Sequence, residues 1–423
     1  MNKVTLEIKF LGGTREVGRT ALLVKTDNTA ILLDYGVMMG RPPGFPMHVA
    51  RKDLDALLLT HCHLDHSGGL PIFFIQDKLP LYSTGPTLEL LQVLIKDFIH
   101  LSGYYLPFEY LELRYMMDNS VTVNYGDEYK VGDISFSFVN AGHIPGSAQI
   151  LLEAEDKRLL FTGDYNSSPT RLLSPAFADY GDLDAMIIET TYANEDHPDR
   201  KQLEKEFIED VNHVVESGGT VLVPAFSIGR SQEIACILAA HHFEHPVAID
   251  GMARKANRII MDFPAFVQDS QLTMNALHGA VWVEGWRDRR RISKKPGVII
   301  SPAGMLQGGP AAFYIARVGK QATNSIFLVS YQIPGTPGHE LLETGKCTID
   351  GKLRKTKAQV KHFDFSSHSG ARQLKESIGN LSSTPKVFAV HGDEKNCERI
   401  AKWTKKKVGF EAFAPKAGDT FTI

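Results

Sequence analysis

At 423 residues the chain is long enough for two or three domains, and a composition of 43% hydrophobic and 22% charged residues is that of a folded globular protein rather than a disordered or coiled-coil one. A formal net charge of -3 excludes a global basic field, so a polyanionic partner would have to meet local basic patches. Four cysteines, Cys62, Cys236, Cys347 and Cys397, form no C-x-x-C pair, which argues against a disulfide framework or a cysteine-built metal site and for a reducing, cytoplasmic setting.

The N-terminus alternates polar and apolar residues without an apolar signal core. No later run approaches the about eighteen apolar residues that a membrane span needs. The first elements predict a meander, with strands over Thr5–Phe10, Ala21–Lys25 and Ala30–Leu33. The turn Gly12-Gly13-Thr14-Arg15-Glu16-Val17-Gly18 reads as a plain turn rather than a phosphate nest, since it precedes a strand and not a helix. A buried strand over 56–60 then leads into T-H-C-H-L-D-H-S-G-G-L, and a helix is expected over Leu70–Gln76 with Ser67 as its cap.

Further strands are expected over Tyr129–Val139, Gln149–Phe161 and Ala185–Ile188, the last ending in Glu189. The pattern then changes to helix Leu203–Val215, strand Thr220–Pro224, helix Gln232–Ala240 and strands Pro246–Ile249 and Val298–Ser301. That alternation predicts a separate parallel α/β layer. Short strands, Val387–Val390 and Glu411–Ala414, return at the end around a helix over Asn396–Lys405.

In H-C-H-L-D-H, alternate residues His61, His63 and Asp65 can face one way, with His66 beside them to reach a neighbouring ion. One tetrahedral ion cannot use every donor the chain offers, so two metal ions are implied. Further donors stand at strand ends: Asp34 after I-L-L, His143 in A-G-H-I-P-G-S-A, Asp164 closing L-L-F-T-G-D and His391 closing V-F-A-V-H.

H-x-H-x-D-H with an upstream Asp, a G-H-x-x-G-S loop and a T-G-D strand end resembles the metallo-β-lactamase superfamily. Its fold would be an αββα sandwich with the metals at one edge of two sheets. Residues 165–390 stand between Asp164 and His391, far more than a plain member needs, so a whole domain is inserted. E-T-T-Y at Glu189, D-F-S-S-H-S-G around His368 and A-V-H-G-D-E at His391 resemble the signature motifs of the β-CASP nucleases. P-A-F-S-I-G-R-S-Q-E from Pro224 and S-P-A-G-M-L-Q-G-G from Ser301 look like helix-start loops of the inserted domain. Within the group the likeness is to the nuclease subunit of the cleavage and polyadenylation specificity factor, in its compact archaeal form without KH domains. Ribonuclease J is a more distant relative. Ser369-Gly370 after His368 departs from the nuclease subunit, where a further small residue and an acid often stand.

The resemblance implies an α/β protein with the metallo-β-lactamase domain split over 1–192 and 362–423 and a β-CASP domain over 193–361. It implies one zinc on His61, His63 and His143 and a second on Asp65, His66 and His391, with Asp164 between them and Asp34 behind. Imidazole and carboxylate donors accept manganese as well. His368 would supply the proton for the leaving oxygen, with Glu189 keeping that imidazole charged and aimed. The substrate would be single-stranded RNA, and a homodimer or other RNA-processing subunits the protein partners.

RNA contacts are expected at Trp286, Arg289, Arg290 and Arg291 in W-R-D-R-R-R-I-S-K-K, where a stacking aromatic meets dense cations, although a solvated surface helix fits the same pattern. Arg230, Ser301, Ser366 and Ser367 are further candidates as donors to phosphates. The expected activity is endonucleolytic cleavage. The alternatives are a 5′ to 3′ exoribonuclease, a small-molecule hydrolase, against which the insertion and the Glu189/His368 pair count, and a non-catalytic RNA-binding subunit.

Overall fold

The computed structural model describes residues 6–75, 79–349 and 351–423. The chain divides into two compact units: one comprises Met1–Pro169, Pro175–Asp196 and Ser367–Ile423, the other Thr170–Ser174 and His197–Ser366.

The first unit is built on two seven-stranded sheets. One runs in the order Thr420–Thr422, Glu7–Gly12, Ala21–Lys25, Ala30–Leu33, Ala56–Leu58, Leu81–Thr84, Ser120–Val123. The other runs Ala412–Phe413, Lys386–Val390, Ala185–Glu189, Lys157–Phe161, Ala148–Ala154, Ile134–Asn140, Glu128–Val131. Alternation along each strand decides which core a side chain joins. Ile31, Leu33 and Leu58 of the first sheet share a core with Phe136, Phe138, Ile150, Phe161 and Ile187 of the second. Met186, Ile188, Val387 and Ala389 point to the opposite face, where Leu374 and Ile378 of helix Ala371–Gly379 and Cys397 and Ile400 of helix Glu394–Trp403 cover them. Helix Gly85–Ser102 packs beside strands Leu81–Thr84 and Ser120–Val123 of the first sheet, and helix Tyr110–Asp118 packs on that helix, so helices flank the pair of sheets. This is the expected αββα sandwich made from both ends of the chain.

The second unit holds a six-stranded sheet in the order Val281–Trp282, Val247–Ile249, Gly297–Ser301, Thr220–Pro224, Ser325–Leu328, Gln359–His362, parallel throughout. Both faces are apolar, as a parallel sheet with helices on each side requires. Val221, Val223, Val298 and Ile300 pack on helices Arg200–Glu216 and Arg230–Ala240, whereas Leu222, Ile299, Ile326 and Leu328 pack on helices Gly309–Val318 and Pro337–Thr344. This is the inserted α/β layer.

Several elements differ from expectation. Tyr129–Val139 and Gln149–Phe161 are each a hairpin: strands Glu128–Val131 and Ile134–Asn140 turn at Gly132, which has φ 55°, and Ala148–Ala154 and Lys157–Phe161 turn at Glu155, with φ 53°. The helix expected over Leu70–Gln76 is a 3-10 turn, Leu70–Phe74, and Gln76 lies outside the described residues. Ser67 does not cap it. That residue closes the short helix Leu64–Ser67, and its hydroxyl donates to the carbonyls of Cys62 and His63 at 2.8 and 2.9 Å. The first strand is Glu7–Gly12, and Thr5 lies outside the described residues.

Candidate metal centre

Asp34 follows strand Ala30–Leu33 and His61 follows strand Ala56–Leu58, which are parallel neighbours. Asp164, Glu189 and His391 lie at the ends of Lys157–Phe161, Ala185–Glu189 and Lys386–Val390, three further parallel neighbours. Parallel strands end on one edge, so residues scattered through the sequence arrive together. Two backbones there adopt left-handed conformations that non-glycine residues rarely take, Asp34 with φ 54° and His391 with φ 48°. Gly36 is needed for the close approach: a Cβ on it would stand 1.7 Å from the Asp65 carbonyl oxygen.

The donors form two groups that share Asp164. In one are His61, His63, His143 and Asp164, in the other Asp65, His66, Asp164 and His391, each with ligand atoms within 4.8 Å of one another. Asp164 Oδ2 lies 3.6 Å from His61 Nε2 and 3.7 Å from His143 Nε2, and its Oδ1 lies 3.2 Å from His66 Nε2 and 3.0 Å from His391 Nδ1. His143 Nε2 is 3.2 Å from His63 Nδ1, and His391 Nε2 is 3.4 Å from Asp65 Oδ2.

The far side of each ring is held by the protein. His66 Nδ1 bonds Asp34 Oδ2 at 2.7 Å, and His143 Nδ1 donates to the Ser367 carbonyl at 3.0 Å. Thr60 was not singled out in the sequence, yet it links the two groups. Its amide and hydroxyl each donate to Asp34 at 2.8 Å, and the hydroxyl oxygen lies 3.1 Å from His61 Nδ1. Its position directly before H-x-H was the only sequence signal. Ser147, whose hydroxyl accepts from the His143 amide at 3.2 Å, was missed too. The glycine turn is indeed a turn, and the Gly13 carbonyl accepts from the His391 amide at 2.7 Å.

Burial and the clustered carboxylates pull the imidazoles in opposite directions. Burial drives the His61, His63 and His143 imidazoles below the usual histidine range and so favours their neutral form, the one a metal ligand needs. Burial also opposes charge on His66, but Asp164 and Asp34 outweigh it and raise that imidazole well above its ordinary value. Burial works against the Asp164 carboxylate in turn, and His391 and His66 overcome it and hold the carboxyl well below its usual range. His61 Nε2 is buried without a hydrogen-bond partner, while its Nδ1 is occupied by Thr60. An uncompensated buried nitrogen is costly, and a metal ion satisfies it, so the donor set fits a metal site.

Next to this cluster is a third group, Asp164, Glu189 and His368. His368 Nδ1 bonds Glu189 Oε1 at 2.8 Å, and the His368 ring packs 4.5 Å from that of His143. Glu189 is buried and fixed from both sides, its two oxygens accepting from the amides of Tyr165 and Thr191 at 3.2 and 3.0 Å.

The residues expected to touch RNA are dispersed. Ser367 stands with His143 in the first unit, whereas Ser366, Arg230, Ser301 and the run from Trp286 belong to the second. Arg230 is a buried residue opening helix Arg230–Ala240, and Ser301 is buried at a strand end with its hydroxyl 3.2 Å from the Pro302 carbonyl. Trp286, Arg290 and Arg291 are exposed on helix Trp286–Ile292, but Arg289 is bonded to the buried Asp250. Among the described residues no helix is long and apolar enough to cross a membrane.

A sandwich of two sheets with a buried His/Asp cluster at its edge, plus a parallel α/β unit inserted in the chain, defines a class. The chain belongs to the β-CASP family of the metallo-β-lactamase superfamily, the metal-dependent ribonuclease hydrolases. Residues 14–197 match the metallo-beta-lactamase superfamily, 231–341 the Beta-Casp domain and 355–415 the Zn-dependent metallo-hydrolase RNA specificity domain. Among relatives, the "RNase aCSPSF2" of Saccharolobus solfataricus is 41% identical over 98% of this chain and 85% of its own length. The "Probable RNase MJ4" of Methanocaldococcus jannaschii is 34% identical over 99% of this chain and 100% of its own. The "Transcription termination factor FttA" of Pyrococcus horikoshii is 33% identical over 99% of this chain and 71% of its own. A crystal structure of a protein of unknown function from Enterococcus faecalis V583 shares the fold, with a TM-score of 0.64 over 99% of this chain and 100% of that one at 14% identity.

Proposed function

We propose that the protein is a zinc-dependent ribonuclease that cuts single-stranded RNA endonucleolytically, in processing or decay. The observation that carries this reading is Asp164, one carboxylate common to two donor groups and to the Glu189/His368 pair. His61, His63 and His143 are assigned to one zinc and Asp65, His66 and His391 to the other, with Asp164 shared; manganese fits the same donors. The bound metal supplies Lewis-acid activation of water and charge balance for the phosphate oxygens.

The remaining roles belong to the chain. Asp34 fixes the ring of His66 through its 2.7 Å bond, with Thr60 holding the carboxylate in turn. Glu189 occupies Nδ1 of His368, which assigns Nε2 to protonating the leaving oxygen. The RNase names of two relatives and the match to an RNA specificity domain support RNA as the substrate. The β-CASP domain is assigned to 193–361, between metallo-β-lactamase segments 1–192 and 362–423. Four buried free thiols suit a reducing cytoplasm.

The test compares matched linear 5′-monophosphate and circular single-stranded RNAs on gels, with and without chelator and beside Asp65→Ala. Metal-dependent cutting of the circle, lost in the variant, is expected. Stepwise loss of the linear RNA alone would replace the endonuclease by an exonuclease, and intact RNA in both lanes would overturn the ribonuclease reading.

A further inference from the structure

One helix of the second unit carries a surface that the metal cluster does not explain. Helix Trp286–Ile292 reads W-R-D-R-R-R-I, and Arg287, Arg290 and Arg291 are exposed on it, Arg291 in a solvent-facing 3.0 Å ion pair with Asp288, a local excess of positive charge in a chain of net charge -3. Trp286 is 60% exposed, an unusual state for the largest apolar side chain.

The indole is nevertheless held in place. Its ring meets Phe313 of helix Gly309–Val318 edge-on, with centroids 5.2 Å apart and planes at 68°. The Arg289 guanidinium lies 5.0 Å from the centroid of the indole ring. That guanidinium is itself locked, bonding both oxygens of Asp250 at 2.7 and 3.1 Å, while Asp250 accepts from the Tyr314 hydroxyl at 2.8 Å. On Phe313, the exposed Arg317 stands 3.6 Å from the ring centroid. Burying Asp250 with its partners therefore fixes an exposed indole, backed by a half-buried phenyl ring, among cations.

We propose that Trp286 and Phe313, with Arg287, Arg290 and Arg317, form an accessory binding surface for single-stranded RNA that uses none of the metal-ligand candidates. An unpaired strand offers what this surface recognises: base faces for the indole and phosphates for the guanidinium groups. Double-stranded RNA hides its base faces in the stack. A second copy of the chain is disfavoured, because an isologous contact would set this arginine cluster against itself. Arg289 is a positioning residue here, since its charge is committed to Asp250. The proposal rests on the ribonuclease reading for its ligand and on this geometry for its place.

Binding is measured in chelator, so that no RNA is cut, with fluorescein-labelled thirty-nucleotide polyuridylate and a duplex of equal length. Trp286→Ala is expected to weaken polyuridylate binding roughly 5- to 150-fold, the effect of one lost stacked base, and Trp286→Tyr to restore most of it. Duplex binding is expected to be the same in all three proteins. Arg290→Gln is expected to lower the slope of log affinity against log salt by about 0.7, one phosphate contact on a single strand. Thermal melts of each variant check that the fold is kept. Equal polyuridylate affinity for wild type and Trp286→Ala would overturn the proposal, as would a change in sedimentation mass in that variant without a change in RNA affinity. Normal cleavage with Trp286-independent binding would sink this surface alone, whereas Trp286-dependent binding without cleavage would sink the ribonuclease assignment and leave the surface standing.

Discussion

Asp164 sits at the junction of three groups, and its neighbours differ in what their loss should do. His391 and Asp65 reach it from the second donor group and touch each other at 3.4 Å. Replacing His391 by Ala removes a donor from that group, and second-group zinc and RNA cleavage are both expected to be lost while the far-ultraviolet circular dichroism stays as in wild type. Metal content by plasma mass spectrometry checks this; full zinc occupancy in His391→Ala would contradict the ligand assignment. His368 is a different case, since its Nδ1 bonds Glu189 at 2.8 Å. His368→Gln is expected to keep its metal content and to lose about 10²- to 10⁴-fold in kcat, the usual contribution of a positioned acid. Loss of zinc with loss of rate would instead make His368 a ligand.

Elements place these residues by close approach, and two contacts show the cost of disturbing it. Gly36 runs against the backbone of the short helix Leu64–Ser67: the Tyr35 and Val37 amides donate to the His66 and Leu64 carbonyls of that helix, the Gly36 amide to the Thr20 carbonyl, and a Cβ on Gly36 would meet the Asp65 carbonyl at 1.7 Å. Gly36→Ala must push that helix outward with Asp65 and His66 on it. A loss of about 1–3 kcal/mol in urea denaturation is expected together with weaker zinc binding. In the second unit, Glu233 on helix Arg230–Ala240 accepts from the amides of Arg171 and Leu172 at 3.0 and 2.8 Å and pairs with Arg200. These bonds tie the segment Thr170–Ser174 to the unit it joins. Glu233→Ala leaves Arg200 and two amides without that partner, and a destabilisation of about 3–5 kcal/mol is expected in the same assay.

At the scale of the molecule, metal and proton equilibria both act on stability. Donors gathered only in the folded state couple metal affinity to folding, so dialysis against chelator is expected to lower the melting temperature and zinc to restore it. Carboxylates away from the cluster set the acid limit. Burial would raise Glu204, but Arg171, His241 and Arg200 outweigh it and lower the carboxyl below its ordinary range. Asp184 is lowered in the same sense, with Lys157 and the Arg158 amide overcoming burial. A carboxyl lower in the folded than in the unfolded chain adds stability above its unfolded value and loses it as pH falls through the folded one. Stability in urea titrations is thus expected to fall progressively below about pH 4.5, with Glu204→Gln flattening that slope.

Much of this was legible in the residues. Strand-end carboxylates and imidazoles marked one sheet edge, because a parallel strand delivers its last residue to the same side as its neighbours. Short continuous apolar runs gave the strands Ala21–Lys25, Ala30–Leu33 and Thr220–Pro224 their limits as the structure has them. Hairpins within Tyr129–Val139 and Gln149–Phe161 were missed because each apolar run was read through its turn, although the apolar positions change parity across Gly132-Asp133 (Tyr129, Val131, then Ile134, Phe136) and across Glu155-Asp156 (Ile150, Leu152, then Leu159, Phe161). Thr60 was illegible for another reason: its role depends on Asp34 and His61 lying on adjacent strands, a matter of three-dimensional pairing.

The sequence by itself determined the chemistry available, a set of histidines and carboxylates at strand ends and a domain-sized interval between Asp164 and His391, because residue types and spacing are local properties. Only the tertiary structure decided that Thr60 joins Asp34 to His61 and that Arg289 is spent on Asp250 while Trp286 stays exposed, and it gave the distances of the Asp164 and Glu189–His368 contacts that the resemblance had implied. Each of these depends on distances of a few ångströms between residues far apart in the chain, which packing sets and composition does not.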